Sequence, residues 1–228
     1  MTEKEKIIFK QIEEKSKSNP MVKIELAAKE TAIYTMGFCK DDKGRVGGDS
    51  WLYLLSTMAG VSCAKISRDV AAEMLLESNE DKIRMPFVPI ETPIGKFYFG
   101  DAVNKYLFAD KFSVINVFYN VFSKKNSDVK LPDVASIVNN NAKVVGDENY
   151  RVWNNLHNPY AEKDVNNKAY EKIIEHLEPF KLERKQIPAM FGLVLAEASA
   201  KAANVFPKEL NCFEMMVETI VFNAHMDY

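Results

Sequence analysis

A chain of 228 residues with 47% hydrophobic side chains can fill a sizeable core, and nine glycines and nine prolines are too few for a collagen-like or disordered composition. Thirty basic residues against 32 acidic ones leave a net charge of −2, which gives no electrostatic reason to expect a nucleic-acid or anionic-membrane partner. Three widely spaced cysteines, Cys39, Cys63 and Cys212, argue against a disulfide framework and point to a reducing compartment, so the cytoplasm is the expected location. The first fifteen residues are charged throughout, so no secretory leader is expected there, and no run approaches the ~18 apolar residues of a membrane span.

In chain order, residues 2–17 read as a surface helix capped by Thr2, with Ile7, Ile8 and Ile12 as a narrow apolar edge. Ser18-Asn19-Pro20 stops that helix and starts another over 21–36. The alternation of Val22, Ile24 and Leu26 is strand-like, but the alanine-rich LAAKETA favours helix, and helix is the reading adopted. CKDDKGRVGG forms an exposed loop before the stretch that organises the rest. From Asp49 or Ser50, either a suitable N-cap, a long helix runs to about residue 77. Leu55, Ala59, Cys63, Ile66, Val70 and Met74 form its buried stripe, with Lys65, Arg68, Asp69 and Glu73 between them. Gly60 lies among Ala59, Ser62, Cys63 and Ala64, a patch small enough for a second helix to approach closely. A kink there is the competing reading.

Pro86, Pro89 and Pro93 forbid a continuous helix, so FVPIE and KFYF around TPIG are expected to pair as a hairpin within 86–100. Helices follow at 101–108 and 111–123, although SVINVFYNVF fits a buried strand as well. SKKNSDVK is a linker, and Leu131-Pro132-Asp133 restarts a helix to about Val145. Asparagine-rich sequence over 139–167 suggests a loop interrupted by a short helix near 150–156, followed by a charged helix over 167–180. Two strongly patterned helices close the chain, one from Pro188 to Val205 and one after Pro207. Gly192, Ala196, Ala198, Ser199, Ala200, Ala202 and Ala203 make the first of these the expected close-packing partner of the 59–64 patch. The fold class is therefore mainly α, a multi-helix bundle with a small β-hairpin insert near residues 86–100. It is read as one helical domain over 1–228, with the 123–131 linker as the place for a division.

Two segments are candidates for function. The loop from Lys43 to Asp49 precedes a helix N-terminus, where free N–H groups and a partial positive charge attract anions. Lys43, Gly44, Arg45, Gly47, Gly48 and Ser50 are its candidate anion-binding residues, although the loop lacks the GxxxxGK[ST] and GxGxxG patterns and Asp49 opposes an anion. Between Phe87 and Phe122 fall ten of the twenty-five aromatic residues, which implies either a packed core or a pocket for an apolar ligand with Tyr98, Tyr106 or Tyr119 at its polar end. Conventional catalytic signals are weak. His157, His176 and His225 have no metal-ligand spacing, and their plain readings are a loop residue, a solvated helix face and a fraying terminus. Cys63 and Cys212 read as core, which leaves Cys39 as the one reactive candidate, and Ser50 lacks the glycine that a nucleophile elbow requires. No metal and no cofactor is implied.

The expected role is thus binding or assembly without catalysis. The wide apolar face of the last helix, with Cys212, Met215, Met216 and Phe222 outside its main stripe, suggests a homo-oligomer. An enzyme acting on a phosphorylated or carboxylated small molecule at Gly44–Asp49 is the first alternative, and an apolar small-molecule carrier using 87–122 the second.

Overall fold

The computed structural model describes residues 2–77, 87–126, 130–145, 163–202 and 212–228. Helix α1 (Glu3–Ser18) begins in a capping box, with Thr2 Oγ1 accepting from the amide of Glu5 and the Glu5 carboxylate accepting from that of Thr2. None of its residues is buried, as the thin apolar edge implies. It rests on the body through the edge-to-face pair of Phe9 and Phe180.

Helix α2 (Met21–Met36) buries Ile24, Ala27, Ala28, Thr31, Ala32 and Thr35, a helical spacing that overrides the strand-like alternation at its start. A 3₁₀ turn (Gly37–Cys39) leads through the loop to α3 (Gly48–Glu77). This helix runs through Gly60 without interruption and starts at Gly48, a residue or two before the expected caps. The predicted single stripe is an understatement: every residue from Leu54 to Ala64 is buried. Small hydroxyl residues do not mark a wet face here. Ser62 and Ser67 instead donate to the carbonyls of Ala59 and Ala64, at 2.7 and 3.0 Å, within their own helix.

The hairpin pairs β1 (Val88–Thr92) with β2 (Gly95–Phe99) around Pro93-Ile94, in the register Val88 with Phe99 and Thr92 with Gly95. Only Phe97 is buried in it, against Phe222 at 5.4 Å between ring centroids. Helix α4 (Asp101–Asn104) passes into a π-helical turn (Lys105–Ala109), and α5 (Val114–Lys125) follows a break at 110–113. The strand reading of SVINVFYNVF is corrected by this: Val114, Ile115, Val117, Phe118 and Phe122 are buried on a helix. Helix α6 (Val134–Val144) is capped by Asp133. Helix α7 (Lys163–Leu177) begins four residues before its expected start and ends in a 3₁₀ turn at Glu178–Phe180. Both claim part of the predicted loop, because Asn141 and Asn166 face inward. Residues 146–162, with the expected short helix and His157, lie outside the described residues, as do 203–211.

Helices α8 (Gln186–Ala202) and α9 (Cys212–His225) complete the body, whose core extends from Ile24 on α2 to Ala224 on α9. Helices α3 and α8 do meet, as their small residues suggest, but each reserves its closest approach for another partner. Gly60 lies against α9, where a Cβ would fall 2.5 Å from the carbonyl oxygen of Ile220 and 2.6 Å from Cβ of Asn223. Gly192 lies against α5, where a Cβ would fall 2.6 Å from the carbonyl oxygen of Val114. The width of α9's apolar surface is accounted for within the chain, since α3, α6 and β2 all pack on it. No helix among the described residues is long and apolar enough to cross a membrane.

Residues 226–228 are tied down rather than frayed. The amide of Asp227 donates to Lys96 on β2 at 2.8 Å, and Arg68 on α3 donates to the carbonyls of Met226 and Tyr228 while pairing with Asp227 at 3.1 Å. Its guanidinium also lies 4.6 Å from the ring centroid of Tyr98. His225 is fully buried and stacked on Phe99 at 4.2 Å, contrary to the fraying expected so near residue 228. His176, expected on a solvated face, stacks on Tyr34 at 3.9 Å and meets Glu30 at 2.9 Å, which joins α7 to α2.

Candidate functional site

Three sequence-distant segments wall a cavity of about 470 Å³. Pro20, Met21 and Ile24 come from the start of α2, and Gln186 and Ala189 from the start of α8. Lys105 and Tyr106 come from the π-helical turn, and Asp110, Phe112 and Ser113 from the break before α5. The volume falls in the range of small-molecule sites.

Local chemistry explains the third wall. The amide of Asp110 reaches back five residues to the carbonyl of Lys105 at 3.0 Å, the π-type bond that widens a helix by a residue per turn and recurs at functional sites. The Asp110 carboxylate accepts from the amide of Phe112 at 2.8 Å, and its carbonyl from that of Ser113 at 2.9 Å. Asn116 on α5 locks the break from behind, donating to the carbonyls of Phe108 and Asp110 at 2.7 and 2.9 Å. Ser113 is the N-cap of α5, yet its side chain makes no capping bond. The residue is 1% exposed and its hydroxyl oxygen has no partner among the described residues. Such a group costs about 1–3 kcal/mol when buried unpaired.

The floor is apolar and the rim charged. Tyr106 is buried in the wall, and burial, followed by the charges of Asp110 and Glu73, raises its phenol pKa. Lys105 lies 5.7 Å above the Tyr106 ring and Lys111 4.9 Å above that of Phe112. Lys185 pairs with Glu183 at 3.0 Å, which holds that exposed carboxyl below its ordinary range. Gln186 Oε1 accepts from the Glu183 amide at 2.9 Å.

Of the three tyrosines singled out from the sequence, Tyr106 alone lines this cavity. Tyr98 is half-buried on the hairpin beside Arg68, and Tyr119 donates its hydroxyl to the Pro132 carbonyl at 2.8 Å, with burial raising its pKa. Ser113, Gln186, Met21 and Lys185 were not singled out. Ser113 carries the one sequence signal that marks the place, a cap residue directly before an apolar helix.

Several donors of the Lys43–Asp49 loop are engaged internally. Asp41 Oδ1 accepts from the amides of Lys43 and Arg45, both at 2.9 Å, and Asp41 Oδ2 accepts from the Arg45 guanidinium at 2.8 Å. These bonds, those of Arg45 foremost, lower the Asp41 pKa. Gly44 takes the positive φ of 74° that the turn requires and donates to the Asp41 carbonyl. Gly47 donates to the Cys39 carbonyl at 3.3 Å, and the Ser50 amide to Asp49 Oδ1 at 2.8 Å; Gly48 opens α3.

The Cys39 thiol is pushed up to about 12 by burial and then by Asp49, the opposite of an activated nucleophile. Burial pushes Cys63 up to about 12 and raises Cys212 as well, in keeping with core positions. Among the described residues no group of three or more His, Cys, Asp or Glu side chains is placed to hold a metal ion. Comparison of the chain with protein-family models, curated proteins and solved structures returns no match, so the site stands on its own geometry.

Proposed function

We propose that this chain is a non-catalytic binding protein that takes a small, largely apolar ligand into the cavity between α2, the π-helical turn and α8. The reading is carried by the cavity of about 470 Å³ itself, in which Met21, Ile24, Tyr106, Phe112 and Ala189 offer apolar surface beside the charged Lys105, Asp110, Glu183 and Lys185. Of the two roles suggested by the sequence, binding and assembly, the cavity favours the first. It also takes up part of the carrier alternative, since Tyr106 and Phe112 belong to the aromatic segment. The engaged amides of the 43–49 loop lend no support to an enzyme that holds its substrate there. The cytoplasm remains the proposed compartment on the strength of three free thiols.

Titration with the neutral probe 2-naphthalenemethanol, followed by amide NMR, is expected to shift Met21, Tyr106, Ser113 and Ala189 together. Met21→Trp, at the half-buried opening, is expected to weaken that binding. If these four signals stay in place at millimolar probe, the cavity is not a ligand site.

A further inference from the structure

A second surface carries a charge that the whole chain does not. Thirty basic residues against 32 acidic ones nearly cancel over the full sequence. Along one side of α1, however, a groove of about 430 Å³ is lined by Lys6, Lys10, Lys17, Lys23 and Lys181, with Glu13 as its single carboxylate. The three lysines from α1 fall on one stripe, because steps of four and seven residues return to the same face of a helix. Lys6 pairs with Glu3 at 2.6 Å and Lys181 with Glu13 at 3.3 Å, while Lys23 donates to the Lys181 carbonyl at 3.1 Å. Lys10 and Lys17 have no carboxylate partner among the described residues.

Between these exposed lysines the surface is apolar. Phe9 and Ile12 of α1 and Pro179 and Phe180 of the 3₁₀ turn are half-buried there, the two phenyl rings edge to face at 5.0 Å. Lys181 follows in a left-handed conformation, φ 48°, that glycine adopts at less cost. What the lysine adds in return is a charge beside the apolar floor. Ion pairs as exposed as those of Lys6 and Lys181 are weak and exchange readily for others. From Lys6 to Lys17 the rim runs about 16 Å along the helix axis, or three turns. An apolar floor under a cationic rim of that length complements a helix with one apolar edge flanked by carboxylates. A flat anionic bilayer would engage the lysine tips and leave the recessed Phe9 and Phe180 uncovered.

We infer that this groove is a docking site for an acidic amphipathic helix of a partner protein, about three turns long, its apolar edge on Phe9, Ile12 and Phe180 and its carboxylates at Lys10 and Lys17. No residue lines both this groove and the cavity above, so the two readings stand or fall separately. Three blocked peptides of one pattern, EELFEELLEELF, QQLFQQLLQQLF and KKLFKKLLKKLF, are titrated by calorimetry at low and at physiological salt. The glutamate peptide is expected to bind at least about tenfold tighter than the glutamine peptide at low salt, with the advantage shrinking as salt is added, and the lysine peptide weakest. Lys10→Glu combined with Lys17→Glu alters two exposed side chains and is expected to melt with the parent while reversing the order of the peptides. Lys4→Glu combined with Lys15→Glu makes the same change in net charge outside the groove and is expected to keep the parent's order. Lys181→Gly is expected to weaken the glutamate peptide about threefold while melting no lower than the parent, since glycine relieves the left-handed backbone. Equal affinities for the glutamate and glutamine peptides, the same loss in both double variants, or no binding of the glutamate peptide at millimolar concentration would overturn the inference. Co-sedimentation with phosphatidylserine-containing vesicles in the absence of peptide binding would also overturn it and assign the groove to a membrane surface.

Discussion

Gly60→Ala is expected to destabilise the protein by about 1–3 kcal/mol, even though alanine is the better helix former by ~1 kcal/mol. The added methyl would meet the Ile220 carbonyl oxygen at 2.5 Å, Asn223 Cβ at 2.6 Å and the Ala224 nitrogen at 2.9 Å, backbone and first side-chain atoms that no rotamer change can move aside. Helices α3 and α9 must separate for it to fit. For a domain of this size each kcal/mol corresponds to about 2–4 °C in Tm, so a thermal melt resolves the change. Gly60→Leu is expected to cost more and to leave a form with looser packing. An alanine variant that melts with the parent would show that the two helices are not in such close contact.

The second large effect is one of pH. The His225 Nδ1–H donates to the Val221 carbonyl at 2.7 Å, while Nε2 is buried with no partner among the described residues. Burial pushes the pKa down from 6.5 to about 4, only partly countered by the bond to Val221. With the folded pKa below the unfolded one, the unfolded chain binds a proton first. The contribution of neutral His225 is therefore intact above about pH 6.5, declines as the pH falls, and is exhausted near pH 4. The depression amounts to a loss on the order of 3 kcal/mol across that window. Denaturant unfolding at pH 7, 5.5 and 4 checks this against His225→Phe, which keeps an aromatic partner for Phe99. The variant is expected to show a shallower decline than the parent, and parallel curves for the two would rule out His225 as the source.

These two residues also show where sequence reading stops. The small patch around Gly60 announces that something comes near, and something does. Smallness states how close a neighbour lies without saying which one, and α8 and α9 both offer suitable surfaces. His225 near residue 228 suggests a loose end because nothing local shows that Arg68 and Lys96, far away in the chain, bind the residues after it. Helices α1, α2 and α3 and the hairpin are legible because their determinants are local: a cap, a 3.6-residue spacing, prolines around TPIG. The long asparagine-rich loop is overdrawn for the same reason, since Asn141 and Asn166 carry a turn propensity that tertiary burial overrides.

The cavity is legible only in part. Aromatic density selects Tyr106 and Phe112, but Met21 and Ala189 reach the same space only through tertiary folding. The π-helical turn is equally hidden, because its defining bond from Asp110 to Lys105 leaves the hydrophobic pattern almost unchanged.

The three raised thiols give the molecule a built-in clock. Cys39 sits in the turn before α3, Cys63 in the middle of that helix and Cys212 in the first turn of α9, each held as an unreactive thiol while folded. An alkylating reagent must wait for the core to open before it reaches the buried Cys63 and Cys212, while the half-buried Cys39 is slowed by its raised pKa, so modification of the two buried sulfurs dates the opening of α3 and α9 without any introduced label.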